Sequence, residues 1–247
     1  MPNILEKLDF VRFTRPYYPW LMGLGISKKT IGDIKSGVET ESEALISALV
    51  HCENVSRSWL EEDAGPPFTV ADIHNDDECS ELLSLMLEDE QWTVYIANDG
   101  YDKAIILTQP AQHKRPRIGF IDYTLLEVLP HAGDKTLKVA YSQATILKQL
   151  DIEAETLDKI ITGQVGTYWI AERKPSAILD RAEIIPISKR KAMNHQYQAK
   201  DLNNSANMYQ VNDPSSEIMD EEILLKNYRL LTDDNKKLVQ GITRNLR

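Results

Sequence analysis

Six polar side chains fall between Ser27 and Lys35: Ser27, Lys28, Lys29, Thr30, Asp33 and Lys35. Wound as a helix, this stretch turns Ile31 and Ile34, with Ile26 just before it, to one side. Lys28, Lys29, Asp33 and Lys35 go to the other. The chemistry such a face can do is recognition. A serine hydroxyl and lysine ammonium groups donate to guanine edges or to phosphate, and an aspartate accepts from the amino group of cytosine. On this reading Ser27, Lys28, Lys29 and Asp33 face the major groove of double-stranded DNA. Thr30 and Lys35 touch its backbone, and Arg12, Arg15, Tyr17 and Tyr18 flank the contact.

Bond-making chemistry finds no comparable set. The histidines His51, His74, His113, His131 and His195 are scattered without metal-ligand spacing. The nearest cluster, His74 with Asp76, Asp77 and Cys79, reads as a solvated, helix-capping stretch. Gly133-Asp134-Lys135-Thr136 lacks the Gly-Lys-Thr adjacency and the leading glycine of a phosphate-binding loop. Asp122 and Glu127 are the candidates for buried carboxylates, with a water-facing strand end as the plainer reading. Lys189-Arg190-Lys191 reads as a charged linker. Trp92, Tyr95, Tyr123, Tyr168 and Trp169 read as core, an aromatic-lined ligand pocket being the minor alternative. Neither an enzyme nor a metal or cofactor is expected.

The elements that must position the recognition face are legible around it. Gly25 stands where the chain reverses between two helices and tolerates a positive φ. Ser27 is a natural N-cap for the helix that follows. Thr40 opens the next helix, with Glu43 completing a capping box and Leu45, Ile46, Leu49 and Val50 forming its apolar stripe. Ser56 caps a short helix plugged by Trp59 and Leu60, and the chain leaves through Ala64-Gly65-Pro66-Pro67-Phe68. A small helical hairpin with a glycine turn is the plain alternative.

From about Phe10 to Phe68 the sequence resembles the helix-turn-helix domain of the lambdoid repressor and Cro superfamily (XRE-type). It resembles most the phage CI-type repressors whose domain closes on a Ser-x-x-Trp-Leu run followed by Gly-Pro-Pro, matched here by Val55-Ser56-Arg57-Ser58-Trp59-Leu60-Glu61-Glu62-Asp63-Ala64-Gly65-Pro66-Pro67. Leu21 stands where that family has a small residue, and Pro16 and Pro19 crowd the start of the first of the two helices; Pro19 fits a first turn. The resemblance implies a dimer, or a higher homo-oligomer, on a two-fold symmetric operator. Repressors of this kind often carry a serine/lysine protease that cuts an Ala–Gly hinge. Ala64–Gly65 lies in the right place, but the serine motif is missing, so no self-cleavage is expected.

Charge supports a local rather than a general nucleic-acid surface. The chain of 247 residues has a net charge of -10, unlike a basic coat protein. Yet from Lys7 to Ser36 six basic residues (Lys7, Arg12, Arg15, Lys28, Lys29, Lys35) face two acidic ones (Asp9, Asp33). Acid collects at Glu39 to Glu43 and Glu61 to Asp63, which predicts one attractive face and strong salt dependence. No apolar run approaches the ~20 residues of a membrane span, and Met1 to Lys7 lack the regions of a signal peptide. Cys52 and Cys79 read as ordinary thiols of a reducing cytoplasm, so a cytoplasmic protein without membrane partners is expected.

Beyond the first domain the periodicity changes. A helix is predicted over Asn75 to Glu88, then strands at Trp92–Ile96, Lys103–Leu107, Arg117–Leu129 and Leu137–Tyr141. Helices at Ser142–Leu150 and Glu155–Ile161 precede two more strands at Thr167–Ala171 and Ile178–Ile185. The expected fold class is α+β: an all-α helix-turn-helix domain over 1–68, and an α+β sensor or oligomerisation domain with a mostly antiparallel sheet over 69–187. A polar linker over 188–215 and a C-terminal helical hairpin over 216–247 complete the chain. The function this predicts is a dimeric, sequence-specific transcription regulator. The alternatives are a regulator with a small-molecule effector site in its middle domain, or an antitoxin-like protein whose middle domain holds a protein partner.

Overall fold

The computed structural model describes residues 3–38, 42–115 and 119–208. The expected hairpin over 216–247, the last part of the expected linker and the expected cap Thr40 lie outside the described residues. The chain divides after Tyr197 into two units. The first unit holds the short helices and the sheet; the second opens with the end of the last described helix.

Five short helices come first: α1 (Ile4–Arg12), α2 (Tyr17–Gly23), α3 (Lys28–Lys35), α4 (Glu43–Glu53) and α5 (Arg57–Glu62). Helices this short are marginal alone and hold together by their shared core. Leu8, Leu21, Ile31, Ile34, Leu45, Leu49 and Leu60 are fully buried in it. Each start is fixed locally. Asn3, Ser27, Ser42 and Ser56 accept, through their side-chain oxygens, from the backbone N–H three residues on. Ser42, not Thr40, therefore caps α4. Pro19 sits in the first turn of α2, where its missing N–H costs no bond.

The rest is a mixed α/β layer structure around a five-stranded sheet, of order β3-β2-β1-β4-β5. The strands are β1 (Thr93–Asn98), β2 (Lys103–Arg115), β3 (Gly119–Leu129), β4 (Ile146–Asp151) and β5 (Glu183–Ile184). All neighbours run antiparallel except β1 and β4. The exception arises because α7 (Asp134–Gln143) carries the chain from one side of the sheet to the other. Alternate side chains of each strand point to opposite faces. Val94, Ile96, Ile105 and Leu107 meet Cys79 and Leu83 of α6 (Asp76–Asp89), Leu137 and Ala140 of α7, and Tyr197 of α9 (Ile187–Met208). Tyr95, Ile106, Leu126 and Val128 meet Leu157 and Ile160 of α8 (Ala154–Ile161), Ile170 of a π-helical turn (Tyr168–Glu172) and Ile178 of a 3-10 turn (Ile178–Arg181).

Four expectations about these elements are corrected. Leu137–Tyr141 is not a strand but part of α7, because Asp76 supplies that helix with a cap from a distant segment. Its carboxylate accepts from the backbone N–H groups of Gly133, Lys135 and Thr136 and from the Thr136 hydroxyl at 2.6–3.0 Å. Burial works against the Asp76 charge, but the bonds from Thr136, Lys135 and Gly133 outweigh it and hold its pKa below the usual carboxylate range. The segment Ser142–Leu150, expected as helix, supplies β4 instead, with Leu147 and Leu150 buried on opposite faces of the sheet. Thr167–Ala171 and Ile178–Ile185 are mainly the two helical turns, leaving only β5 as strand. The polar segment after Ile187 is helical rather than a linker. Arg190 fastens it by donating to the carbonyls of Ile185, Ala144 and Thr145.

Two devices stand out among the described contacts that join the helical half to the sheet. Beyond Thr108, β2 leaves β1 and pairs only with β3. This arm lays Ile121 and Tyr123 against the helical core, and His113 stacks on His51 of α4 with ring centroids 4.9 Å apart. The second is Phe68, which is buried in the helical core while its N–H donates to the Gly163 carbonyl at 3.0 Å. A Cβ at Gly166 would lie 2.1 Å from the Phe68 ring, so only glycine admits this approach. The segment expected to be a hinge is thus stapled: Ser56 N–H donates to Pro67 O and Thr69 N–H to Asn54 O.

Candidate nucleic-acid interface

The local sequence builds the α2–turn–α3 pair as its residue types require. Gly25 has φ +73°, the left-handed conformation that lets the chain turn, and its N–H donates to Met22 O. Ile26 N–H donates to Leu21 O, closing the turn. Ser27 Oγ accepts from Thr30 N–H at 3.1 Å and lies 2.9 Å from the Thr30 hydroxyl. Ile26, Ile31 and Ile34 are buried, which fixes the rotation of α3 about its axis.

That rotation exposes Ser27, Lys28, Lys29 and Lys35, with Thr30 and Asp33 half-buried at the edge. Lys29 is 88% exposed and pairs loosely with Asp33 at 3.2 Å, an interaction worth about 0.3–0.5 kcal/mol on a helix surface. Lys35 lies over the rings of Tyr17 and Tyr18, at 5.3 and 5.4 Å from their centroids. These contacts bring α2 and α3 into one surface. Tyr18 and Met22 are exposed on α2, and a Cβ at Gly32 in the middle of α3 would meet nothing within 4 Å. Tyr17 is half-buried and its hydroxyl has no hydrogen-bond partner among the described residues. Burial, and then the negative charge of Asp9, push its pKa up, so it stays neutral.

The flanking arginines are placed differently from expectation. Arg12 pairs with Asp9 at 2.6 Å and donates to Arg15 O at 2.9 Å, leaving it partly exposed. Arg15 is corrected outright: it points inward. Its guanidinium grips both oxygens of buried Glu53, at 2.5 and 2.8 Å, and donates to Val11 O. It also stacks on Trp20 and on Tyr168, at 4.8 and 4.1 Å from the ring centroids. The indole N–H of Trp20 donates to the same Glu53 carboxylate at 2.6 Å. A planar, bidentate cation suits this role better than a phosphate contact at the protein surface. Lys7 is also withdrawn: it is buried, 2.6 Å from Asp63 and donating to Leu60 O. Two of the six cations counted from the sequence are thus neutralised inside by acids outside the counted window. Of the six, Lys28, Lys29 and Lys35 on α3 are exposed and Arg12 is partly so.

Sequence reasoning missed two groups. Glu172 on the π-helical turn lies near the Arg15–Glu53 pair. Burial and then the charge of Glu53 raise its pKa, opposed by hydrogen bonds with Thr124 and by Arg15. The second is a cavity of about 550 Å³ between α1 and the segment from α8 to Trp169. The aromatic residues Tyr168 and Trp169 gave a signal, but their partners on α1 are more than 150 positions away. Glu127 is half-buried with its pKa raised by burial, and Asp122 is exposed and accepts from Gln112. Among the described residues no group of histidines, cysteines and acids could hold a metal ion, and no helix is long and apolar enough to cross a membrane. Comparison with family models, with curated proteins and with solved structures found no match.

Proposed function

We propose that this chain is a transcription regulator that binds operator DNA through α3. Ser27, Lys28, Lys29 and Asp33 enter the major groove, Thr30 and Lys35 contact the backbone, and Arg12, Tyr17 and Tyr18 flank them. The observation that carries this reading is the division of α3 itself. Its isoleucines are buried and its lysines exposed, on a helix held to α2 by a glycine turn. A helix of this width fits the major groove, and the exposed lysines supply sequence-independent attraction as well as donors for base edges. The small size of the cationic patch favours specific over general binding, since the rest of the chain is acidic. A dimer on a two-fold symmetric site is what the resemblance of the segment from about Phe10 to Phe68 to repressor domains implies.

The test is selection from a randomised duplex pool by the full chain, with footprinting of the recovered sequence. A palindromic motif with half-sites about one helical turn apart is the expected result. Recovery of no enriched sequence across a range of salt concentrations rejects the proposal.

A further inference from the structure

The cavity between the helical half and the sheet half is built unlike a packing defect. From one side α1 and the residue after it bring Phe10 and Phe13; from the other come Tyr168 and Trp169, with Phe68 between. Phe13 meets Trp169 edge to face at 4.6 Å, and Phe10 lies 6.0 Å from Phe68. At about 550 Å³ the space is within the ~300–1,000 Å³ range of small-molecule sites; the Arg173 guanidinium lies over Trp169 and Phe13, at 4.2 and 5.3 Å from their ring centroids, and the ring surfaces that line the cavity can pack against a flat guest. Its charged lining groups differ in how they are held. Glu53 is saturated by Arg15 and Trp20, and Asp9 pairs with Arg12. Lys159 is half-exposed and its ion pair is with exposed Glu155 one turn away on α8, a pair that a ligand anion can displace at small cost.

We infer that this cavity is an effector site for a planar aromatic acid, its ring held among Phe13, Trp169 and Phe68 and its carboxylate on Lys159. The site also has a route to α2. Tyr168 and Glu53 line it, and both hold Arg15; Glu53 and Arg15 in turn hold Trp20 of α2. A ligand there changes the packing of the helix that seats α3. The regulatory half of this inference rests on the DNA-binding reading; the binding half does not.

The two are separated by measuring ligand binding without DNA. Indole-3-acetate, naphthalene-2-carboxylate and the fluorophore 8-anilino-1-naphthalenesulfonate are titrated into the full chain, read by tryptophan or probe fluorescence and by calorimetry. Saturable one-to-one binding by at least one of them is expected. Thr14→Trp fills the mouth from an exposed position and is expected to weaken that binding at least tenfold. Lys159→Met is expected to weaken it similarly while leaving neutral indole unaffected. Unchanged urea midpoints in both variants show that folding is intact. No saturation by any of the three acids up to about 1 mM, or equal binding by Thr14→Trp, overturns the site. If binding holds but DNA affinity is the same with and without ligand, the coupling to α2 is overturned and the site stands.

Discussion

Replacing Lys28 and Lys29 together by alanine separates recognition from folding. Both side chains are exposed, and the one ion pair removed among the described residues is Lys29–Asp33 at 3.2 Å. Removing it costs about 0.3–0.5 kcal/mol, and alanine's helix propensity offsets part of that. The unfolding free energy should therefore stay within about 0.5 kcal/mol of the parent, a melting shift of no more than about 2 °C for a chain of this size. On DNA the same change is large. Deleting a donor to a base edge costs about 1–3 kcal/mol, and deleting a phosphate partner reduces the salt slope by about 0.9. Affinity for the selected duplex should fall by on the order of 2–6 kcal/mol. The assay is fluorescence anisotropy at several salt concentrations, beside thermal unfolding of the same preparations. Unchanged DNA affinity, or a melting point that drops by many degrees, would refute the reasoning.

Gly32→Ala should stabilise α3 by about 0.5–1 kcal/mol, since nothing lies within 4 Å of the new methyl, yet weaken DNA binding if the bare backbone lets the duplex approach. A gain in both sinks that explanation. Arg15→Met leaves the Glu53 charge buried without its bidentate partner and should cost about 3–5 kcal/mol in urea unfolding. A cost under about 1 kcal/mol would mean that the pair is dispensable. Glu172→Gln removes a carboxylate whose folded pKa is raised by burial and by Glu53. In the parent that group's contribution is favourable below its unfolded pKa and is lost as pH rises through the folded value, so the variant's advantage should grow from acid to neutral pH. A constant difference across that window contradicts it. Asp76→Ala uncaps α7 and should cost about 1–2 kcal/mol. Because the Asp76 pKa is lowered, the parent's advantage should fade as pH falls through that value, as followed by circular dichroism.

Where structure is set by neighbours in the chain, the sequence was a good guide. The caps Ser27 and Ser56, the Gly25 turn and the isoleucine stripe of α3 are local devices, and each is found where expected. Elements set by distant partners were misread. Leu137-Lys138-Val139-Ala140-Tyr141 alternates like a strand, but Asp76, 60 positions before Thr136, decides that it is helical. β4 reads as helix until its pairing with β1 is known. The polar surface of α9 hides the few residues that hold it, Arg190 and Tyr197 among them. The site behaves the same way. Exposure of the lysines followed from period alone, whereas Arg15 turned inward because Glu53 and Tyr168, from far along the chain, present a better partner than water.

If the proposed DNA-binding reading holds, the burial of Phe68 across both halves has a consequence for operator architecture. Many regulators carry their DNA-reading heads on slack tethers and so tolerate variable gaps between half-sites. Here Phe68 ties the helical half to the sheet, so two copies that dimerised through the sheet half would present α3 to one operator at a set angle. Inserting a single base pair at the operator centre turns one half-site by roughly 35° relative to the other, and the clamp leaves little freedom to swivel after it. Such a protein would measure spacing as strictly as it reads bases.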